Sequence, residues 1–326
     1  MKTNPSVSII VLNYNGEHFL EECFNSLKKL NYPAEKLEYI LVDNYSADNS
    51  VELVRKKFPF VKIIQNKRNL GCPGGYNSGA KFAKGDFLLF LNNDLEIDSN
   101  YLIEVIRKID LTNKIVCVAC KILDFFSPKI QAGIPWYHIL GYAGFLNNKK
   151  PQTIRFKSAL VPWSSSCAFF IQKEPFYQLK GFDSTFFPIY ADDLDFSLRL
   201  WLFGYKITYN PKAIVYHKGK VNRSEARNTY LNERNKLKLI IKLYQKSTLT
   251  KIIMPLIILR FFMVLYYLLQ KDFPNAKAIL KAFRGIIPDR ILLNSRREIQ
   301  EKRILNDRSL TFLSPPLKYI ITKELY

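Results

Sequence analysis

The sequence predicts an α/β protein with a doubly wound, mainly parallel sheet and a helical C-terminal extension. Short apolar runs, typical of strands buried on both faces, alternate with segments of helical periodicity. The first run, Val7–Leu12, ends in the turn-forming residues Asn13-Tyr14-Asn15-Gly16 and is followed by helical periodicity. Two more runs, Tyr39–Val42 and Val61–Ile64, enclose a predicted helix. This alternation of strand and helix favours a parallel sheet.

A glycine-rich segment, Asn69–Gly79, follows the third predicted strand. We predict a turn that leads into a helix over 77–84. Such a turn could hold a phosphate or a sugar close to backbone N–H groups, or it could use glycine only for its dihedral angles. A dinucleotide-binding fingerprint would have to follow the first strand, where Gly16 is the one glycine, so that class of site is excluded.

The most apolar run, Phe87–Leu91, ends in Asn92-Asn93-Asp94. In an open α/β sheet, ligands bind beyond the carboxyl ends of the strands. Asp94 is therefore expected where a cation or a substrate phosphate would lie. A helix over 101–109 and a strand over 115–119 follow, and Cys117 and Cys120 in that strand are predicted to be buried thiols rather than metal ligands.

Three carboxylates stand within four positions in Asp192-Asp193-Leu194-Asp195, at the predicted start of a helix. Aspartate favours that position as a cap, and Asp195 can pair with Arg199 one turn later on the helix surface. Capping accounts for one or two of the acids. Three of them beside aromatic residues indicate that at least one has another role. A lone His217 follows two short predicted strands, 207–209 and 213–216, and is by itself more typical of a structural histidine.

The last third of the chain changes in composition. A polar helix is predicted over 224–244, and Ile252–Leu269 is then apolar at sixteen of eighteen positions, interrupted by Pro255 and Arg260. As a helix it would be about 27 Å long, and a central arginine costs about 2.5–3.5 kcal/mol on insertion scales. We therefore expect a helix in the membrane interface, or packed on the catalytic domain, rather than a span. The basic run after it suits an anionic leaflet, although a solvated helical face is the plainer interpretation.

The formal net charge is +21, from 49 Lys and Arg against 28 Asp and Glu, and it implies an anionic partner. Residues 246–326 contribute +9 of this excess. The charge alone does not choose among nucleic acid, a membrane surface and phosphorylated substrates. No recognised nucleic-acid module is present, so we expect no nucleic-acid partner. The N-terminal strand is too short for a signal-peptide core, and the five cysteines form no framework, so a cytosolic chain is expected.

Five motifs occur in order along Ser6–Gly219. They are SIIVLNYNG, DNYSADNS, NLGCPGGYNSGA, GDFLLFLNNDLEI, and GFDSTFFPIYADDLDFSLRLWLFGYKITYNP with HKG behind it. Together they resemble glycosyltransferase family 2, in particular its rhamnosyltransferase-like bacterial members. The resemblance implies a GT-A fold and transfer of a sugar, with inversion, from a nucleotide-diphosphate donor.

The resemblance also implies roles for individual residues. Asp43 would bind the nucleobase, uracil or thymine, and Asp94 would hold Mg²⁺ or Mn²⁺ with His217 as a further ligand. Asp193 would be the general base. The donor-binding set would be Asn13, Asp43, Asn69, Gly71, Gly75, Asn77, Asn92 and Asn93, and the acceptor-binding set Asp192, Trp163 and Tyr190.

Two positions depart from the family pattern. Asp192 stands where glutamate is usual, which could alter contacts with the acceptor. Asn92 stands in place of an aspartate, a substitution that many members share, so the metal would meet less negative charge and depend more on His217. The irregular, aromatic-rich segment Asp124–Thr153 matches no motif, and acceptor choice is expected there and near Trp163.

The predicted protein therefore has a catalytic domain over 1–245 and a basic, partly apolar, membrane-associating extension over 246–326. It would transfer sugar from a UDP- or dTDP-sugar to a glycan or lipid-linked saccharide in surface polysaccharide synthesis. Its place would be peripheral, on the cytoplasmic face of the cell membrane. A catalytically inactive family member that binds nucleotide or glycan is the alternative. Nucleotidyl transfer is disfavoured, because Asn13–Gly16 lacks a glycine-rich loop with a basic residue.

Overall fold

A computed structural model describes residues 4–146, 159–219, 225–284 and 290–311. The chain divides into two compact units. The first comprises Met1–Pro135, Phe145–Leu200 and Tyr205–Gly219, and the second comprises Trp136–Gly144, Trp201–Gly204 and Lys220–Tyr326.

The strands of the described residues are numbered β1–β12 in chain order. They are Val7–Asn13, Leu37–Asp43, Lys62–Gln65, Phe87–Asn92, Leu95–Ile97, Ile115–Asp124, Ile130–Ala132, Ile134–Tyr137, Ala143–Leu146, Ala159–Leu160, Ala168–Gln172 and Lys206–His217. The helices, α1–α10, are Glu17–Lys28, Ser50–Lys57, Gly71–Ala80, Tyr101–Lys108, Lys173–Gln178, Asp192–Leu202, Ala226–Leu243, Lys246–Leu269, Phe273–Arg284 and Arg290–Lys302.

The main sheet has the order β10-β12-β6-β11-β4-β1-β2-β3. Strands β4, β1, β2 and β3 are parallel neighbours, as are β6 and β12, while β11 runs antiparallel between β4 and β6. β1 is buried at every position because the sheet is covered on both faces. The predicted α/β class and mainly parallel sheet are confirmed. Cys117 and Cys120 on β6 are buried free thiols, also as predicted.

The predicted turn-then-helix over 69–84 is wrong, because the glycine-rich segment itself forms helix α3, Gly71–Ala80. The glycines let this helix approach the sheet closely. A Cβ on Gly75 would lie 2.5 Å from Leu12 Cδ1, and one on Gly79 would lie 2.5 Å from Val42 Cγ2 and 2.6 Å from Ile10 Cγ2. The absence of side chains at Gly75 and Gly79 thus allows the helix to pack closely against the sheet.

Gly79→Ala is expected to destabilise the protein by about 1–2 kcal/mol, since overpacking a rigid core costs about 1–3 kcal/mol and alanine returns up to ~1 kcal/mol of helix propensity. Ile10 and Val42 are fully buried, so a new methyl group would press against closely packed side chains. The measurement is the midpoint of urea unfolding. Ser78→Ala, one position earlier on the same helix, is the control, and an unchanged midpoint for Gly79→Ala would contradict the packing argument.

Three further elements differ from expectation. The two short strands predicted over 207–216 form the single strand β12, which has a register shift between Asn210 and Ile214. The strand predicted over 115–119 continues to Asp124. The apolar helix begins six residues early, so that α8 is 24 residues and about 36 Å long. Of the described helices, α8 alone has the length and composition to cross a membrane.

The irregular segment over 124–153 contains the short strands β7, β8 and β9. Strands β8 and β9 form a separate two-stranded sheet. The remainder of the predicted segment, 147–153, lies outside the described residues.

Candidate active site

The candidate site lies at the carboxyl ends of β1, β2 and β4. Their registers place Asn13 beside Asp43 and Leu12 beside Asn92, so the polar residues that end these strands meet at one edge of the sheet. Asn13 is the link: its Nδ2 lies 3.4 Å from Asp43 Oδ1, and its Oδ1 accepts a hydrogen bond of 2.6 Å from Asn93 Nδ2. The sheet thus brings together residues from three separate motifs.

Asn44, which the sequence interpretation passed over, organises the loop before α3. Its Nδ2 donates to Asn69 Oδ1 at 3.0 Å and to the carbonyl of Gly71 at 3.1 Å. Its Oδ1 accepts from Leu70 N at 3.0 Å and from Asn66 Nδ2 at 3.1 Å. The available signal was its place directly after Asp43, at the end of β2.

The other residues predicted to bind the donor in this region have clear structural contacts. Gly71 has a φ of +69°, and a Cβ there would lie 2.6 Å from the carbonyl oxygen of Pro188, so glycine is required. The Asn77 amide donates to the carbonyl of Phe182 at 2.6 Å and accepts from its N–H at 3.0 Å. Asn77 therefore holds the loop before α6, and the donor contacts of Asn69, Gly71, Gly75 and Asn77 stay predictions.

Asp94 and His217 meet on the next pair of strands. Strand β12 pairs with β5 so that His217 lies opposite Leu95, and His217 Nε2 is 3.1 Å from Asp94 Oδ2. The other ring nitrogen is 2.6 Å from Gln131 Oε1, and Gln131 Nε2 donates to Asp124 Oδ2 at 2.9 Å. A Cβ on Gly219 would collide with Asp94 Oδ2, so only glycine fits beside this carboxylate.

This arrangement fits a divalent cation. Asp94 Oδ1 is buried and has no hydrogen-bond partner among the described residues. A carboxylate and an imidazole are suitable ligands, and the Gln131 amide orients the imidazole in the manner of an outer-shell partner. In the part of the chain that the structure describes, no three His, Cys, Asp or Glu side chains converge on one point. The protein would supply two ligands and leave the rest to substrate phosphates and water, in line with metal sites in which substrate phosphates provide much of the coordination.

Asn92 connects β4 to the other half of the site. Its Oδ1 accepts a hydrogen bond of 2.7 Å from the hydroxyl of the fully buried Tyr76. That hydroxyl is also 3.1 Å from the carbonyl oxygen of Ser166, and the N–H of Ser166 donates to Asp193 Oδ2 at 2.9 Å. A continuous chain of contacts therefore runs from Asn92 through Tyr76 and Ser166 to Asp193.

Asp193 lies in the first turn of α6, as predicted for the acidic cluster. The two residues before the helix, Tyr190 and Ala191, have φ values of +77° and +63°, which non-glycine residues rarely adopt and which set the direction of the helix start. Asp193 Oδ1 accepts from the N–H of Leu194 at 2.8 Å. Burial raises the pKa of Asp193, and the N–H groups of Ser166 and Leu194 partly oppose that rise. A carboxyl group tuned upward suits a general base.

Asp192 and Asp195 differ from Asp193. Asp192 is 2% exposed, and burial followed by the negative charge of Asp193 holds its pKa well above the usual range. Asp195 pairs with Arg199 Nε at 2.8 Å, and the same guanidinium donates to the carbonyls of Leu179 and Gly181 at 2.6 and 2.8 Å. The expected i,i+4 pair exists, but it is buried rather than on the helix surface.

The two aromatic residues of the predicted acceptor set lie in different environments. Trp163 is 8% exposed and its ring centroid is 4.8 Å from that of Phe145. Tyr190 is partly exposed in the loop before α6. Their contacts with an acceptor stay predictions.

A groove of about 720 Å³ runs along the outer face of α3. Asn69 and Phe187 lie in its wall, and the basic residues Arg68, Lys81 and Lys180 line it. All three basic side chains are largely exposed. A groove of this size and charge could accommodate part of an anionic ligand.

The family model described as glycosyl transferase family 2 matches residues 8–177, more than half of the chain. This chain belongs to glycosyltransferase family 2. The matched region includes β1, β2, α3 and β4, and therefore the Asp43 and Asp94 half of the site. The rhamnosyltransferase-like subtype stays a prediction.

Among relatives of this family 2 chain is the poly(ribitol-phosphate) beta-glucosyltransferase of Bacillus spizizenii, 37% identical over 101 residues, which are 30% of this chain and 16% of that protein. The chain thus corresponds to a small part of such a relative. GalNAc-T7, solved with UDP, GalNAc and Mn²⁺, has a TM-score of 0.63 at 18% identity, covering 76% of this chain and 49% of the other. TarS 1-349 of Staphylococcus aureus, with UDP-GlcNAc, has a TM-score of 0.53 at 19% identity, covering 72% and 65%. These likenesses confirm the predicted GT-A fold.

Proposed function

We propose that this protein is an inverting glycosyltransferase that moves a sugar from a nucleoside-diphosphate donor to a polymeric or lipid-linked saccharide of the cell surface. The observation that carries the proposal is the contact chain from Asn92 through Tyr76 and Ser166 to Asp193. It joins the strand end that carries Asp94, suited to a donor diphosphate, to a carboxyl group tuned toward base catalysis.

The proposed reaction is a single displacement. Asp193 takes the proton from an acceptor hydroxyl while that oxygen attacks the anomeric carbon, and the bond from this carbon to the diphosphate oxygen breaks on the opposite face. The proton ends on Asp193, and the configuration at the anomeric carbon inverts. A divalent cation held by Asp94 and His217 would neutralise the charge that develops on the departing diphosphate. Asp43 would accept a hydrogen bond from the N–H of uracil or thymine.

Two observations support a proposal for the class of acceptor. The Bacillus spizizenii relative is named for poly(ribitol-phosphate), an anionic polymer. The groove beside α3 carries Arg68, Lys81 and Lys180, which suit phosphate groups along such a chain. A phosphate-containing surface polymer is therefore the acceptor class that fits best, and a lipid-linked saccharide is the second candidate.

The experiment is a panel of nucleotide sugars, each added with and without Mn²⁺ and followed by thermal shift and product analysis. UDP- or dTDP-sugars are expected to stabilise the protein in the presence of metal, by about 2.7 kcal/mol at a hundred times Kd. Purine nucleotides are the control for Asp43. Equal stabilisation by GDP-sugars would contradict its role with the base. Metal-dependent binding without transfer to any acceptor would favour the inactive alternative.

A further inference from the structure

Helix α8 exposes large apolar side chains from Ile253 to its last residue, Leu269. Nine of them are at least 40% exposed, from Leu265 at 40% to Leu269 at 74%. They are Ile253, Met254, Ile257, Ile258, Phe261, Phe262, Leu265, Leu268 and Leu269. The buried residues of α8 are four: Ile252, Leu256, Arg260 and Met263.

These two sets occupy separate sides of the helix. At about 100° per residue, the nine exposed positions fall within roughly 180° of the circumference, and the four buried positions fall within roughly 80° on the other side. The exposed side, here called the apolar face, extends for about 24 Å. A helix that faces water carries polar residues on its outer side, and soluble proteins rarely expose an apolar surface of this extent. The apolar face therefore requires a cover.

The environment of Arg260 determines how a membrane could provide that cover. Arg260 is 1% exposed, its Nε is 3.2 Å from Glu233 Oε2 on α7, and its guanidinium lies over the ring of Tyr142 at 5.6 Å. Lys236 donates to the other oxygen of Glu233 at 3.0 Å. If α8 crossed a bilayer with these contacts intact, the charged side of α7 would enter the hydrocarbon, where an ionised group is costly. If the contacts broke, Arg260 would face lipid.

An orientation in the plane of the membrane avoids both costs. The side of α8 that carries Arg260 stays on the protein, and the apolar face enters one leaflet. Arg260, which in the sequence analysis argued against insertion, then does not contact lipid.

The neighbouring helix supplies charge of the matching sign. Helix α9 packs against both α7 and α8. Its exposed side combines the apolar Phe273 and Leu280 with Lys277, Lys281 and Arg284. Each basic residue near an anionic membrane surface increases the binding affinity roughly fivefold. Residues 246–326 hold 15 Lys and Arg against 6 Asp and Glu.

We propose that the apolar face of α8, with the basic and apolar side of α9, docks the protein on one leaflet of an anionic lipid bilayer without crossing it. All five cysteines are free. This suits a reducing compartment and hence the cytoplasmic leaflet, where anionic lipids are concentrated. The proposal stands on the second unit alone and does not depend on the reaction proposed for the first.

The test is flotation of the full chain with vesicles of phosphatidylcholine, with and without phosphatidylglycerol. The wild-type chain is expected to float with anionic vesicles, and high salt should weaken its binding. Ile258→Glu combined with Phe262→Glu should reduce flotation at least tenfold. The matched control is Phe126→Glu combined with Leu160→Glu, two exposed apolar residues outside α8, and it should float like wild type. Circular dichroism of each variant separates lost docking from lost folding.

Three results would overturn the proposal. The first is a wild-type chain that stays unbound in the presence of anionic vesicles. The second is an α8 variant that folds and floats as well as wild type. The third concerns crossing. Thr250→Cys and Gln270→Cys, at opposite ends of α8, should both react with an impermeant thiol reagent added outside the vesicles, and protection of one end alone would show a span.

Discussion

Asp193→Asn is expected to lower the turnover number for sugar transfer by about 10²- to 10⁴-fold, the usual contribution of a positioned general base. Asparagine has the same shape, and its oxygen can still accept one of the hydrogen bonds from Ser166 or Leu194 that hold Asp193. It cannot take the proton of an acceptor hydroxyl. The fold and donor binding should therefore persist, which thermal shift with a UDP- or dTDP-sugar measures beside the rate.

The control is Asp110→Asn, the same chemical change at a partly exposed carboxylate in the turn that precedes β6. It should leave the rate unchanged. Near-normal turnover in Asp193→Asn would remove Asp193 as the base, whereas loss of donor binding in that variant would indicate a structural role instead.

The pH dependence follows from the same residue. Asp193 acts as a base only when deprotonated, and burial raises its pKa above the ordinary carboxyl value. As pH falls, the active form is therefore lost earlier than it would be for an exposed aspartate. The rate should decline on the acid side with a midpoint above about pH 4, the usual value for aspartate. Residual activity of Asp193→Asn should lack this acid-side decline.

Asp94→Asn is expected to abolish the stabilisation by Mn²⁺ that nucleotide sugars should otherwise show, and to reduce transfer by at least about 10²-fold. The physical reason is charge: a ligated cation provides several kcal/mol of stabilisation to a departing diphosphate, and each ~1.4 kcal/mol is tenfold in rate. Because Asn92 and Asn93 are neutral, Asp94 is the one anionic side chain of the Asn92-Asn93-Asp94 cluster that would hold the cation. Isothermal titration with Mn²⁺ and UDP together measures the binding without any turnover.

A graded comparison separates this role from simple packing. Gln131→Ala removes the 2.6 Å contact to His217 but leaves Asp94 in place, so metal affinity should fall by about 10- to 100-fold rather than vanish. Asp110→Asn again serves as the unaffected control. Full metal-dependent binding in Asp94→Asn would place the cation elsewhere.

The sequence was sufficient where structure depends on local pattern. Runs such as Val7–Leu12 and Phe87–Leu91 became strands because uninterrupted apolar residues bury on both faces of a parallel sheet. The acidic cluster began a helix, as predicted, because the apolar spacing after it is helical. The five ordered motifs also predicted the family and the fold.

The prediction for the glycine-rich segment was wrong for a physical reason. Its glycines indicated a turn, since glycine is a poor helix former. In the structure, Gly75 and Gly79 allow α3 to pack closely against β1 and β2. The distance between a helix and a sheet cannot be predicted from the local sequence pattern. The same holds for Asn44, whose four hydrogen bonds reach residues 22 to 27 positions away.

The sequence by itself determined the fold class, the family and the residues that end each strand, because periodicity and residue type act over a few positions. Tertiary structure alone decided which of those residues meet. It placed His217 against Asp94, joined Asn92 to Asp193 through Tyr76, and buried Arg260 on Glu233. Each of these contacts joins residues that are separated in the chain. Where the local dielectric is low, such a contact is stronger than in water and an unpaired polar group is costly, so the effect of each side chain depends on its tertiary partner.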